Sequence, residues 1–196
     1  MTLNNDFFQI KHKLASTKKG SVLVSEPFSK DIYFKRSVVL LTEHTSEGSI
    51  GFILNKPVEM QVNDVLKNFP PTNARMLIGG PVSTDTVHFI HTLGEKLPDS
   101  IHVFDNIYWG GDFEKLKLLF EAGAVSEDEI LFFMGYSGWS PNQLEDEIKQ
   151  NFWIVTEVPS DMVMKQERKN FWKNALDALG SQYKIWANAP ENPEMN

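Results

Sequence analysis

The chain has 196 residues, 41% hydrophobic and 23% charged, a balance that fits a globular domain and excludes a disordered one. Its 26 acidic residues outweigh 19 basic ones, and the net charge of −7 opposes approach to nucleic acid or anionic lipid. It has no cysteine, which excludes disulfides and thiolate metal sites, and no apolar run nears the roughly 20 residues that cross a bilayer.

Residues 1–20 read as a polar amino-terminal arm, with Lys11, Lys13, Lys18 and Lys19 on a solvated stretch and no signal-peptide pattern; a cytoplasmic location is the expectation. Val22–Val24 begins a β-prone run that ends at Pro27. Ser37–Thr42, SVVLLT, predicts a strand buried on both faces, and Ile50–Leu54 a second one. The two suit a hairpin across Thr45–Gly48. Val62, Val65, Leu66 and Phe69 recur at helical spacing, up to Pro70 and Pro71. Met76–Ile78, Val87–His91 and Ile101–Phe104 are strand-like, and Gly79-Gly80-Pro81 reads as a tight structural turn. Asp112 is placed as N-cap of a helix ending at Gly123. Ile130–Met134 predicts a short strand. Ser140, Pro141 and Gln143 supply N-cap, N1 and N3 of the next helix. Phe152–Val155 predicts a strand and Met164–Leu179 a final helix, with a frayed tail over 188–196. No internal repeat or composition shift divides residues 21–187, which read as one domain. The 14 Phe, 5 Trp and 4 Tyr point to a ring-filled core, with an aromatic interface as the alternative.

Chemical motifs exclude more than they assign. There is no G-x-G-x-x-G and no phosphate-binding G-x-x-x-x-G-K-[ST], and Pro81 removes a donor where a phosphate cradle needs one. Gly135-Tyr136-Ser137-Gly138 resembles a nucleophile elbow, but Trp139 takes the place of the closing glycine, and Ser137 reads as a turn hydroxyl. His44 closes a strand and reads as a hydrogen-bonded structural group. His88 and His91, three apart in a strand, point to opposite faces and do not suit one metal. Glu145 and Glu147 do not face each other on a helix, so no carboxylate pair suited to acid–base work is evident. The mildly basic final helix lacks the partner helix of a helix-turn-helix.

Together these stretches resemble the YqgE/AlgH family of small bacterial proteins. The likeness rests on Phe34, Ser37–Leu41 with Glu43-His44, Gly48, Gly51, Asn55 and Pro57. It continues through Gly79-Gly80-Pro81-Val82, Gly135–Trp139 with Pro141, Gln143–Glu145 and Glu147, Trp153, and Trp172–Gly180. The resemblance spans roughly residues 16–180. It implies an α+β fold, a single domain with a bent mixed β-sheet flanked by helices. It also implies a cytoplasmic protein of no established activity, under a label of transcriptional regulator. Ser137 departs from the family's usual alanine, which weighs against a nucleophilic role there.

The candidate binding surface comprises His44, Asn55, Gly79, Gly80, Tyr136, Ser137 and Gln143, polar groups and glycines at strand ends beside a helix start. No catalytic residue, metal or cofactor is assigned. The leading expectation is a non-catalytic binding or regulatory protein whose partner is another protein. The alternatives are a small-molecule binder or hydrolase-like enzyme using the His44/Gly79-Gly80/Tyr136–Gln143 region, and a DNA-binding regulator. Direct nucleic-acid binding and membrane insertion are not expected.

Overall fold

The aliphatic runs that open the domain form strands as expected. They are β1 (Val22–Ser25), β2 (Val38–Thr45) and β3 (Gly48–Ile53) in a computed structural model that describes residues 16–29, 31–164, 168 and 170–190. β2 and β3 make an antiparallel hairpin closed by Thr45–Gly48. The remaining strands are β4 (Met76–Ile78), β5 (Val82–His91), β6 (Ile101–Phe104), β7 (Ile107–Trp109), β8 (Ile130–Trp139) and β9 (Trp153–Thr156). All nine join one sheet in the order β6-β7-β5-β8-β3-β2-β1-β9, with β4 alongside β8. The β4–β8 pair is parallel and the others are antiparallel, so the sheet is mixed.

Six helices cover it among the described residues: α1 (Val62–Val65), α2 (Phe113–Glu121), α3 (Gln143–Lys149), α4 (Ser160–Met164), α5 (Phe171–Ala178) and α6 (Lys184–Ala187). One face, with Val22, Leu40, Phe52, Ile90 and Phe133, packs against α4, α5 and α6 through Val163, Phe171, Trp172 and Trp186. The opposite face is covered in two places. Leu23, Val39, Ile53 and Trp139 meet Leu144 and Ile148 of α3, and Met76, Phe89 and Phe132 meet Val62 and Leu116. The carboxy-terminal helices are tied to the sheet by the Trp172 indole, whose Nε1 donates to the Ser25 carbonyl at 2.9 Å, while Arg36 lies over the same ring.

The sheet bends where β4 runs out between β3 and β8. The Gly79 N–H donates to the Met134 carbonyl, and the Gly79 carbonyl accepts from the Ile53 N–H and from the Ser137 hydroxyl. Gly135 turns β8 through a φ of +63°. The strand continues beyond it, so the expected Ile130–Met134 strand is twice as long as its aliphatic run, and Ser137 lies in a strand rather than a turn.

Other differences are also local. β7, only three residues long, carries no pattern that distinguishes it from a loop. The helix expected up to Phe69 stops at Val65, because Leu66 leaves helical geometry at ψ 80°. Asp112 does cap α2, accepting the Lys115 N–H, and Gly123 follows with a φ of +64°. Ser140 does not cap α3: Asn142 takes that place with a left-handed φ of 63°, and the Gln143 side chain accepts the Ser140 N–H instead. Of the last helix, expected over Met164–Leu179, Phe171–Ala178 is helical as α5, opened by left-handed Asn170, and α4 (Ser160–Met164) is a separate helix that precedes it. Asn188–Pro190, placed in the tail by the sequence, is in contact with the domain: Ala189 is buried and its carbonyl accepts from Arg36. Of the expected arm, residues 1–15 lie outside the described residues, and Lys19 Nζ donates to the His102 carbonyl.

His88 and His91 do point to opposite faces. His91 is fully buried, accepting the Leu93 N–H at Nδ1 and bonding the Gly110 carbonyl through Nε2, which identifies the neutral Nε2–H tautomer. Burial holds both imidazoles below their ordinary pKa of 6.5. The unfolded chain therefore binds protons near pH 6.5 that the folded chain takes up only at lower pH. Stability should be fully present above about pH 6.5 and decline as the pH falls below it, towards the depressed folded values. Urea midpoints at pH 7.5 and 5.5 (approximate settings) check this, and His88→Asn should flatten part of the slope. A Gly135→Ala exchange should cost about 3 kcal/mol, since its Cβ would stand 2.6 Å from the Val82 carbonyl oxygen in a left-handed conformation. Gly123→Ala, at a similar φ in open space, should cost only about 1 kcal/mol in the same urea assay.

Candidate functional site

The end of the sheet where β2 turns into β3 is open. A shallow groove of about 390 Å³ lies there, between the hairpin and the end of β8. Ile50, Val82 and Tyr136 line it together with Gly138 and Trp139, and Glu43, Glu47, Ser49 and Ser140 supply its polar groups. Tyr136 meets the His88 ring edge-on at 5.7 Å, and His88 in turn lies 5.4 Å from the buried Phe52 ring.

A bulge sets the chemistry of this end. Leu41 pairs with Gly51 but Glu43 pairs with Ile50, so Thr42 is one residue extra in β2. Beyond the bulge His44 stands directly opposite Ser49, on the face that α3 covers. His44 Nδ1 is 2.8 Å from the Ser49 hydroxyl, and its Nε2 is 3.4 Å from Oε1 of Glu145 on α3. The imidazole is 19% exposed and the Glu145 side chain 40%.

Glu147, one turn along α3 from Gln143, holds the tryptophans behind the groove. Its Oε2 accepts both the Trp139 and the Trp153 indole N–H, at 2.9 and 2.8 Å, and its Oε1 accepts from Gln143 Nε2 at 2.9 Å. Phe34 stacks on Trp139 and meets Trp153 edge-on, completing an aromatic cluster around one half-buried acceptor.

The expected surface is therefore divided. Tyr136 lines the groove on one face of the sheet, while His44 and Gln143 lie on the other, α3-covered side of the hairpin end. Asn55 lies beyond the opposite end of β3, where its Oδ1 accepts the Val38 N–H and its Nδ2 donates to the Arg36 carbonyl, closing the entry to β2. Gly79, Gly80 and Ser137 are buried inside the bend, and the Ser137 hydroxyl is committed to the Gly79 carbonyl 58 residues away rather than to a local turn. The residues that sequence reasoning passed over are Ser49 and the two glutamates. Ser49 sits in no motif. Glu145 and Glu147 were weighed as a pair with each other, whereas each finds its partner on a different element. Among the described residues no three metal-ligating side chains cluster, and no helix is long and apolar enough to cross a membrane.

The fold and groove define a single α+β domain built on a bent mixed sheet, with a shallow polar cleft at one sheet end. The AlgH-like family model matches residues 22–184, and the chain belongs to that family. It is similar to a UPF0301 protein of Bacteroides fragilis, 41% identical over 197 residues and the whole of both chains. It is also similar to one of Cytophaga hutchinsonii, 40% identical over 91% of this chain and 98% of the other. Two solved structures share the fold. The solution structure of the AlgH protein of Pseudomonas aeruginosa has a TM-score of 0.70 at 23% identity, over 92% of this chain and 98% of that one. A crystal structure of a Corynebacterium diphtheriae protein has a TM-score of 0.72 at 22% identity, over 96% and 100%.

The double acceptor role of Glu147 can be measured. Glu147→Ala leaves two buried indole donors unpaired and should destabilise by about 2–4 kcal/mol in urea unfolding followed by tryptophan fluorescence. Glu147→Gln, which keeps a carbonyl acceptor, should cost less than half of that.

Proposed function

We propose that the protein is a cytoplasmic binding protein of regulatory type, acting through protein contacts, and that the groove at the hairpin end takes an apolar, cationic segment of its partner. The observation that carries this is the make-up of the groove: Glu43 and Glu47 beside a floor of Ile50, Val82 and Tyr136. A net charge of −7 adds a long-range field that favours a basic partner and disfavours DNA. The absence of cysteine agrees with a reducing compartment. Any effect on transcription would then pass through the bound protein.

A second reading is a small-molecule binding protein or hydrolase-like enzyme using the His44/Gly79-Gly80/Tyr136–Gln143 region. It is favoured by one observation, the His44 imidazole held between a hydroxyl and a carboxylate.

The binding reading is tested with a tagged full-length chain and a Glu43→Lys/Glu47→Lys variant, both changes lying outside the buried core. Proteins captured from native-host lysate by the wild type should be lost with the variant and should elute with salt, as screening of a charged contact requires. Identical capture by both chains overturns the groove as the contact. Salt-dependent DNA retention would favour direct DNA binding instead.

A further inference from the structure

We propose that the groove is occupied in the free protein by this chain's own amino-terminal arm, residues 1–15, acting as a tethered competitor of the partner. This gives the groove of the first reading above a regulator, and it rests on that reading.

The arm has the chemistry that the groove selects. Leu3, Phe7, Ile10 and Leu14 recur every three or four residues as an apolar stripe, and Lys11 and Lys13 stand beside it in the sequence. The groove offers a floor of Ile50, Val82 and Tyr136, with Glu43 and Glu47 to meet cationic charge. Residues 1–19 hold four lysines and one aspartate, a charge of +3 in a chain of −7, which leaves −10 on residues 20–196. A cationic segment is drawn towards an acidic domain.

The chain also delivers the arm to the right place and the right face. It leaves β1 opposite Leu41, where the Gly20 N–H donates to the Leu41 carbonyl at 2.8 Å and the Ser21 carbonyl accepts the Leu41 N–H at 2.9 Å. Glu43 follows on the same strand. A Cβ on Gly20 would stand 2.9 Å from that of Phe104, and Phe104 packs against the same core cluster as Ile50 and Tyr136. Lys18 pairs with Glu157 at 2.6 Å and Lys19 Nζ donates to the His102 carbonyl, which fixes the root of the arm. Fifteen residues reach at most about 50 Å, so tether length does not limit the contact.

Another cleft, of about 420 Å³, lies at the arm's own root. It is the poorer seat, because Lys18 and Lys19 line it and Glu157 is already paired with Lys18. None of the described residues lining the groove is basic.

A short tether holds a segment at an effective concentration of about 1 mM. An intrinsic Kd of about 0.1 mM then keeps the groove about 90% filled and weakens the partner's apparent affinity about tenfold. Weak basic contacts are excluded, and a tight partner displaces the arm.

The test uses the full chain, which has no cysteine, so Asn5→Cys carries a single nitroxide beside the apolar stripe. In isotope-labelled protein the nitroxide should broaden the amide signals of Gly48, Ile50, Tyr136 and Gly138 relative to the reduced label. Lys11→Glu/Lys13→Glu and Glu43→Lys/Glu47→Lys should each remove that broadening with the rest of the spectrum in place, and the two reversals combined should restore it. In capture from native-host lysate, Lys11→Glu/Lys13→Glu at sub-saturating partner should retain up to about tenfold more protein than the wild type. Broadening that is absent, or confined to Asp105 and Val158, overturns the arm as occupant; the partner reading survives that result if Glu43→Lys/Glu47→Lys still loses capture. Broadening seen only between nitroxide-bearing and isotope-labelled chains in a mixture puts a second copy in the groove and also overturns it. Broadening at the groove with capture that neither reversal changes overturns the partner reading, and the competition with it.

Discussion

Three strands meet in this domain with no side chain between them, and the rest of the architecture follows from that contact. A Cβ on Gly79 would stand 2.2 Å from the Gly135 carbonyl oxygen, and one on Gly80 would stand 2.3 Å from that of Tyr136. Backbone packed on backbone at this distance admits only glycine. The junction lets β8 change neighbours on one side, β4 along its first half and β3 along its second, while β5 stays on the other side. A strand that changes partners part-way bends the sheet, and one of the faces so formed packs against α4, α5 and α6. Ser137 supports the same place by donating to Gly79, a side-chain bond substituting for a ladder bond where the strands diverge.

What was legible in the sequence was whatever depends on neighbours in the chain. The aliphatic runs of β1, β2 and β3, the cap at Asp112 and the glycine at 123 are all local signals, and the structure uses them as expected. The resemblance to a known family supplied the bent mixed sheet, which periodicity alone would not have assembled. The errors have one origin. Gly135 reads as the end of a strand because glycine weakens strands, but here tertiary contact makes it a bend inside a longer one. Asn142 reads as an ordinary helix residue because a left-handed φ leaves no mark on sequence spacing. The opening of α5 at left-handed Asn170 is opaque for the same reason.

The site shows this limit most clearly. Ranking residues by their place at strand ends selects Tyr136, which does line the groove, and His44, which lies on the other face of the same hairpin, whereas Asn55, chosen by the same rule, lies at the wrong end of its strand. Strand ends come in two directions, and only topology tells which ones meet. Glu145 and Glu147 were set aside because they do not face each other. Their two-residue offset in fact sends one carboxylate to the hairpin and the other to the tryptophans, so the spacing that rules out a carboxylate dyad is what allows two separate jobs.

The bulge at Thr42 decides what the hairpin end can do. With the regular register of Leu41 and Gly51 continued, Ser49 would face Glu43, and His44 would point to the other side of the sheet. One inserted residue exchanges a carboxylate for an imidazole opposite the hydroxyl. It also leaves Glu43 at the groove, where it contributes charge rather than a hydrogen bond to Ser49. A purely structural hairpin gains little from such an insertion, because it interrupts the ladder and exposes the extra residue's backbone groups. Here the Thr42 hydroxyl faces the Ile50 carbonyl at 3.4 Å, a long contact and poor compensation for a lost ladder bond. The irregularity is better accounted for by the side chains it re-aims than by the stability it adds.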